Sequence, residues 1–198
     1  MNPNVVLIAG SSQLGSQSAK VARYLAGRLE GLALCGWARV IDLGATPLPL
    51  WPAADSQELW PQHRELLREA DALVVIAPEW HGMACPALKN FFLYAGLPEL
   101  GHKPALPVGV SAGQGGAYPL AELRASSYKN SRIAYLPEQL LVRQVEGVFN
   151  EGPPGDENDQ RLRERADWAL HMLCQYAGAL REVRERIDLH NPAYANGM

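Results

Sequence analysis

Two short segments that are apolar at every position constrain the fold of this chain most strongly. They are Val5–Ala9 and Ala72–Ile76, and both are rich in β-branched side chains. A strand with no polar face must be covered on both sides, as in a parallel sheet that lies between two layers of helices. Residues 19–29, which lie between the two segments, carry apolar side chains at helical spacing. The order strand, helix, strand therefore predicts an α/β fold.

The rest of the chain continues this alternation. We predict further strands at residues 37–43, 106–111 and 139–145, and further helices at residues 62–69, 85–95, 118–127 and from about 156 onward. Pro78 is expected to end the strand that begins at Ala72. The proline-rich residues 44–61 are predicted to form a long surface connection. We expect one domain over residues 1–198, with its core at about 5–187 and a frayed tail at 188–198.

Composition excludes several classes of partner. Hydrophobic residues make up 47% of the chain and charged residues 20%, which is typical of a globular protein. The net charge of −3 and the lack of a basic run disfavour nucleic acid. No apolar segment approaches the roughly 20 residues of a membrane span, so no membrane partner is expected. Three widely spaced cysteines favour a reducing, cytoplasmic location without disulfides.

A parallel α/β sheet binds ligands beyond the carboxyl ends of its strands, which here means loops 10–18, 77–85 and 111–117. The first loop reads Gly-Ser-Ser-Gln-Leu-Gly-Ser-Gln-Ser and connects a buried strand to a helix. Exposed N–H groups, the helix dipole and serine hydroxyls predict that it holds a phosphate group. It lacks the Gly-Lys-Ser/Thr of nucleotide hydrolases and the Gly-x-Gly of dinucleotide-binding folds. An ordinary strand–helix turn capped by serine is the alternative.

The second loop is more specific. It reads Pro-Glu-Trp-His-Gly at residues 78–82, followed by Pro-Ala-Leu-Lys-Asn at residues 86–90. Here the chain resembles the NAD(P)H-dependent FMN reductase family of flavodoxin-like proteins, which carries Pro-Glu-Tyr-Asn-Gly and then Pro-x-x-Leu-Lys-Asn. The family's first loop, Gly-Ser-x-Arg-x-x-Ser-x-Asn/Ser, and its glycine-rich loop match residues 10–18 and 111–116. The resemblance covers roughly residues 5–145.

The resemblance implies a flavodoxin-like, doubly wound, five-stranded parallel sheet of order 2-1-3-4-5 with helices on both faces. It also implies FMN as cofactor and NADPH or NADH as co-substrate. The residues that would hold the FMN phosphate are Ser11, Gln13, Ser16 and Ser18. The residues that would surround the isoalloxazine ring are Pro78, Glu79, Trp80, His81, Gly82, Ser111, Gly113, Gly115 and Gly116.

Three of these positions depart from the family pattern. Gln13 replaces an arginine, so a bidentate phosphate partner is lost and weaker retention of FMN is expected. Trp80 replaces tyrosine and His81 replaces asparagine in the ring loop. His81 is a candidate acid or base, but a loop residue in the place of asparagine is an equal alternative, because the cofactor carries the chemistry.

Several nearby side chains have functional and ordinary interpretations. His81 and Cys85 are four residues apart, but no second pair accompanies them, so zinc is not predicted. Glu79 is expected to act through its backbone rather than as a general base. Trp51 and Trp60 could cap the flavin edge, although covering the core is the more usual role of such tryptophans.

Two features of the helix at residues 85–95 suggest self-association. Lys89 could pair with a carboxylate across an interface or face solvent. On a helix, the four consecutive side chains of the aromatic-rich run Phe91–Tyr94 point in different directions, so they cannot all face one core. We predict a homodimer or homotetramer.

The leading hypothesis is an FMN-dependent oxidoreductase that transfers hydride from NAD(P)H to a small acceptor, such as a flavin, a quinone, an azo compound or a metal oxyanion. One alternative is an electron-transfer flavodoxin, although the nearly balanced charge, 18 basic against 21 acidic residues, disfavours steering toward a basic protein partner. A degenerate flavin-binding module, suggested by Gln13, is the other alternative.

Overall fold

A computed structural model of the chain describes residues 2–53, 60–189 and 191–194. Residues 54–59 of the predicted connection, and residues 190 and 195–198 of the predicted tail, lie outside the described residues. The strands are β1 (Asn4–Ala9), β2 (Trp37–Asp42), β3 (Ala72–Trp80), β4 (Met83–Ala84), β5 (Pro104–Val110), β6 (Ala134–Tyr135) and β7 (Leu140–Val142). The helices are α1 (Gln17–Gly31), α2 (Trp60–Glu69), α3 (Pro86–Tyr94), α4 (Leu97–Leu100), α5 (Ala117–Ser126) and α6 (Glu157–Arg186), with 3-10 turns at Val145–Gly147 and Pro192–Tyr194.

The strands form one predominantly parallel sheet of order β2-β1-β3-β5-β6. β1 pairs with β2 and β3 in parallel, with Val5 opposite Ala72, and β3 pairs with β5 in parallel. β4 pairs with β3 in antiparallel fashion, and β7 pairs with β5 in parallel. The parallel α/β sheet is confirmed, but the five-stranded prediction of order 2-1-3-4-5 is wrong in detail, because the sheet has seven strands.

One added strand arises because β3 continues through Pro78 to Trp80. The pairing of β1 with β3 ends where Ala9 lies opposite Ile76. No residue of β1 pairs with Pro78, so the N–H that proline lacks breaks no hydrogen bond on that side. Its pairing partner is Val110 of β5. The prediction that Pro78 ends the strand is therefore wrong, and the chain instead turns back after Trp80 to form β4.

The other added strand comes from the division of the fifth strand. β6 and β7 both lie along β5, the first beside Pro104–Ala105 and the second beside Val108–Val110. Pro137 lies in the gap between them, where a residue without an N–H interrupts regular pairing. The predicted strand at residues 139–145 is shortened to Leu140–Val142, and its end forms a 3-10 turn instead.

Helices cover both faces of the sheet, as predicted. α1 and α6 pack against one face, and α2, α3 and α5 pack against the other. The two fully apolar segments, Val5–Ala9 and Ala72–Ile76, are almost completely buried between these layers. Ser16 caps α1 and Asp156 caps α6, each by accepting an N–H from the first turn. No helix within the described ranges is long and apolar enough to cross a membrane.

Candidate cofactor site

Three loops at the carboxyl edge of the sheet enclose a cleft of about 200 Å³. They follow β1, β3 and β5, the central strands of the sheet. The lining residues are Ser11, Gln13, Ser16, Gln17, Ser18, Pro78, Glu79, Trp80, Val110, Ser111, Ala112 and Val145. The structure thus brings eight of the thirteen predicted site residues to one cleft, from all three predicted loops.

The loop after β1 is fixed by a close approach of two strands. Gly10 donates its N–H to the carbonyl of Ile76 at 2.9 Å. A Cβ on Gly10 would lie 2.6 Å from that carbonyl oxygen and 2.8 Å from Cδ2 of Leu88, so only glycine fits. The chain therefore leaves the sheet at this point and can direct its next residues into the cleft.

The serines of this loop are held by their own backbone. Ser11 Oγ accepts the N–H of Gln13, and Ser16 Oγ accepts the N–H of Ala19, both at 3.1 Å. A hydroxyl that accepts a hydrogen bond still has its own proton to donate. Ser11 is 2% exposed, so its hydroxyl is presented from a fixed position. The arrangement provides oriented donors at the start of α1, where the helix dipole favours an anion.

The loop after β3 is a two-residue hairpin turn between Trp80 and Met83. Its central residues, His81 and Gly82, have φ angles of +51° and +75°, as a type I′ turn requires at both positions. Trp80 lines the cleft, whereas His81 and Gly82 lie beyond it and His81 is exposed. The turn explains why the family pattern has Asn-Gly here, since asparagine adopts positive φ more readily than most residues.

The loop after β5 is tied to the end of β3 by Glu79. One carboxylate oxygen accepts the N–H of Gly116 at 2.6 Å, at the start of α5. A Cβ on Gly115 would lie 2.5 Å from the other carboxylate oxygen, and Gly116 has a φ of +101°. Ser111 Oγ accepts the N–H of Gly113 at 3.2 Å. The three glycines shape this loop without lining the cleft, and the side-chain role of Glu79 is one that the sequence reasoning missed.

The hairpin is anchored on its outer side as well. Glu122 of α5 accepts the N–H of Ala84 at 2.8 Å and pairs with Lys89 at 3.1 Å. The Ala84 N–H, and then Lys89, hold the pKa of the Glu122 carboxyl below its usual value. The carboxylate that pairs with Lys89 therefore belongs to the same chain, and the ion pair joins α3 to α5 rather than crossing a subunit interface.

The electrostatics of the cleft are unusual for a phosphate site. Among the described residues that line it, Glu79 is the only one with a charged side chain, and its carboxylate is engaged by Gly116. A phosphate there would be held by neutral hydroxyl, amide and backbone donors together with the dipole of α1.

These features fit FMN. The cleft has an uncharged end of serines and glutamines at a helix start, and an opposite end formed by Trp80 and the segment Val110–Ala112. Gln17 lines the cleft as well, and its Oε1 is a buried oxygen without a hydrogen-bond partner among the described residues. A ligand with both a phosphate and a flat ring matches this combination of donors and apolar surface.

Four of the lining residues were not predicted. They are Gln17, Val110, Ala112 and Val145. Gln17, which lies within the quoted loop, could have been found there as a polar residue between two serines. Val145 reaches the cleft only because its N–H binds the carbonyl of Ser111 at 3.2 Å, a contact that no local pattern reveals.

The tryptophans and the aromatic run have structural roles. Trp60 packs against the rings of Phe91 and Tyr94, and Trp51 lies partly exposed in the connection, outside the cleft lining. Phe91 is buried, and the Tyr94 hydroxyl donates to the carbonyl of Pro49 at 2.9 Å. Cys85 is buried at the start of α3.

The sheet order and a cleft at the carboxyl ends of its central strands define the class: an α/β protein with a flavodoxin-like fold. The chain belongs to the NADPH-dependent FMN reductase family, whose sequence model matches residues 3–147. It is an FMN-dependent oxidoreductase that uses NAD(P)H, so the leading hypothesis from the sequence is confirmed at this level.

Characterised relatives cover nearly the whole chain. An NADPH azoreductase from Bacillus sp. (strain OY1-2) is 32% identical over 193 residues, which is 93% of this chain and 98% of the relative. An FMN-dependent NADPH-azoreductase from Staphylococcus aureus is 27% identical over 178 residues, covering 86% of this chain and 93% of the relative.

Solved structures support the fold. An apo NADH:FMN oxidoreductase superposes with a TM-score of 0.71 at 18% identity, covering 88% of this chain and 89% of that one. A flavoenzyme NAD(P)H:(acceptor) oxidoreductase from Paracoccus denitrificans superposes with a TM-score of 0.66 at 20% identity, covering 91% of this chain and 98% of that one.

Proposed function

We propose that the cleft holds FMN, with its phosphate at the start of α1 and its ring between the ends of β3 and β5. Ser11, Gln13, Ser16 and Ser18 would bind the phosphate, and the backbone of Pro78–Trp80 together with Ser111 would border the ring. The observation that carries this assignment is the meeting of the three predicted loops in one cleft. His81, Gly82, Gly115 and Gly116 would contribute by fixing the loops, and Gly113 through its backbone N–H, which Ser111 Oγ accepts.

When bound, FMN supplies the hydride chemistry, accepting two electrons from a reduced nicotinamide and passing them on. The residues of the chain bind and orient it. Glu79 holds the loop after β5 against the end of β3, and Trp80 would cover apolar ring surface. The absence of a titratable group pointing freely into the described cleft fits a site in which the protein provides position rather than proton transfer.

We also propose NADPH as the hydride donor and a small aromatic acceptor of the azo or quinone type. The support is the similarity to azoreductases from Bacillus and Staphylococcus aureus over nearly the whole chain. A single domain over residues 1–198, a cytoplasmic location and a homodimer or homotetramer complete the proposal. Leu93, 54% exposed on α3, is the member of the aromatic-rich run left open for such an interface.

FMN binding by a charged variant of the cleft tests this assignment. Ser18→Asp places a carboxylate where the phosphate is expected, and Gln62→Asp places the same charge on the exposed face of α2. We expect Ser18→Asp to weaken FMN binding by at least about 100-fold, roughly 3 kcal/mol, and Gln62→Asp to leave it unchanged. Titration by flavin fluorescence gives both constants. Equal binding by the two variants would place FMN elsewhere.

A further inference from the structure

A lysine on α1 holds one wall of the cofactor cleft in place. Lys20 is half-buried, and its ammonium group donates to the carbonyl of Val145 at 2.6 Å, to the carbonyl of Val148 at 3.0 Å and to Oδ1 of Asn150 at 3.0 Å. An ammonium group has three protons, so all of them are engaged. These bonds join the first turn of α1 to a segment that lies 125 to 130 positions further along the chain.

Val145 is the contact of Lys20 that concerns the cofactor. It lines the cleft and is 1% exposed. Its N–H donates to the carbonyl of Ser111, in the loop after β5, at 3.2 Å. Within the described ranges, Lys20 is the only lysine or arginine that bonds to a residue lining the cleft. A chain of two hydrogen bonds through Val145 therefore connects α1 to the loop after β5.

The same segment has a second attachment to α1 that does not involve Lys20. The ring of Phe149 is stacked on the ring of Tyr24, with centroids 4.2 Å apart and planes 11° apart, and Phe149 is 3% exposed. Removal of the ammonium group should therefore leave the segment packed on α1. The bond that is lost is the one that fixes the Val145 carbonyl, so the change should be local to the cleft.

We propose that Lys20 is a positioning residue for FMN, which keeps Val145 against the bound flavin and so sets the width of the cleft. The ammonium group does not contact the cofactor itself, because its three protons are engaged by the chain. Val145 offers an apolar side chain, which suits the uncharged part of FMN rather than its phosphate. This inference rests on the proposed function, because it requires FMN in the cleft.

The binding of FMN and of riboflavin, which lacks the phosphate, tests this role. Flavin-free protein is titrated with each ligand and followed by flavin fluorescence, using wild type, Lys20→Met, Val145→Ala and the double variant. Lys129→Met, which removes an exposed lysine, is the matched control. Denaturant titration establishes that each variant is folded in the assay. Lys20→Gln, with two amide protons on a shorter side chain, replaces Lys20→Met if that variant does not fold.

We expect Lys20→Met to weaken the binding of FMN and of riboflavin alike by about tenfold, because the Val145 carbonyl loses its partner. Lys129→Met should change neither by more than about twofold. Val145→Ala removes the side chain that Lys20 positions, so in this background the further loss caused by Lys20→Met should shrink to less than about threefold. A lysine that only stabilises the fold would not show this coupling in the affinity for flavin.

Three results would overturn the inference while the proposed function stands. If Lys20→Met binds both flavins like wild type, Lys20 has no role in binding. If it weakens FMN but not riboflavin, its charge acts on the phosphate and the positioning role is wrong. If the full loss persists in the Val145→Ala background, Lys20 does not act through Val145. If wild type binds neither flavin, the proposed function fails, and this inference fails with it.

Discussion

At the scale of single residues, His81 has a catalytic and a conformational interpretation, and the structure favours the second. An imidazole in the loop that would border the ring made it a candidate acid or base. In the structure it is exposed, lies outside the cleft lining, and occupies a turn position with a φ of +51°. The backbone requirement of the turn accounts for the position without any proton transfer.

His81→Asn therefore restores the residue that suits this turn. We expect the free energy of unfolding to rise by about 0.5 kcal/mol, because Asn-Gly is the favoured pair in type I′ turns. NADPH oxidation should stay within about threefold of wild type, whereas loss of a general acid lowers rates by about 100-fold or more. Denaturant titration and steady-state kinetics measure the two quantities. A large loss of rate with normal FMN binding would make His81 catalytic after all.

At the scale of elements, Glu79 joins two loops that are distant in sequence. Its bond to the N–H of Gly116 fixes the start of α5 against the end of β3, and Gly115 leaves room for the carboxylate. Because a Cβ on Gly115 would displace that carboxylate, Gly115→Ala should weaken FMN binding about tenfold, equivalent to about 1.4 kcal/mol.

Gly113→Ala is the matched control, because a Cβ there meets no atom within 4 Å. We expect it to bind FMN like wild type, and Glu79→Ala to reproduce the weakening seen with Gly115→Ala. FMN titration of the three variants separates a specific role of Glu79 from a general intolerance of the loop. If Gly113→Ala and Gly115→Ala weaken FMN binding equally, Glu79 does not have this role.

The end of α2 depends on a buried lysine. Lys103 is 5% exposed and donates to the carbonyls of Leu67 and Arg68, at 2.5 and 3.1 Å. Burial, followed by the nearby Arg184, lowers the pKa of its ammonium group from 10.5 to about 8. Lys103 therefore loses its proton above about pH 8 in the folded chain but keeps it up to about pH 10.5 in the unfolded chain. Because the unfolded chain binds the extra proton, this group makes the free energy of unfolding rise with pH in that interval.

Comparison with Lys103→Met isolates this contribution. Between pH 8 and 10.5, we expect the free energy of unfolding of wild type to rise relative to that of Lys103→Met by on the order of 2 kcal/mol. Denaturant titrations at several pH values give the difference, and Lys129→Met, which removes an exposed lysine, is the matched control. A pH-independent difference between wild type and Lys103→Met would mean that Lys103 titrates normally.

At the scale of the whole molecule, local patterns predict the alternation of strands and helices and the edge where the cleft forms, whereas the sheet order was implied by the resemblance to the family. Fully apolar strands can be recognised because burial on both faces removes their polar positions, and a serine cap at the start of α1 can be predicted because capping is a local contact. The hairpin at His81, the divided fifth strand and the contact of Glu79 with Gly116 were not predicted. Each depends on which neighbours pair across the fold, and the last joins residues 37 positions apart.

We propose that the three loops at the carboxyl edge build a cleft in which FMN accepts hydride from NADPH. To test this, FMN-loaded protein is mixed with NADPH in the absence of oxygen, and the visible absorption band of the flavin is followed. We expect the band to bleach, and an added azo dye or quinone to restore it while being reduced. A band that persists with excess NADPH and excess NADH, in protein shown to contain bound FMN, would mean that the bound flavin accepts no hydride and that the proposed function is wrong.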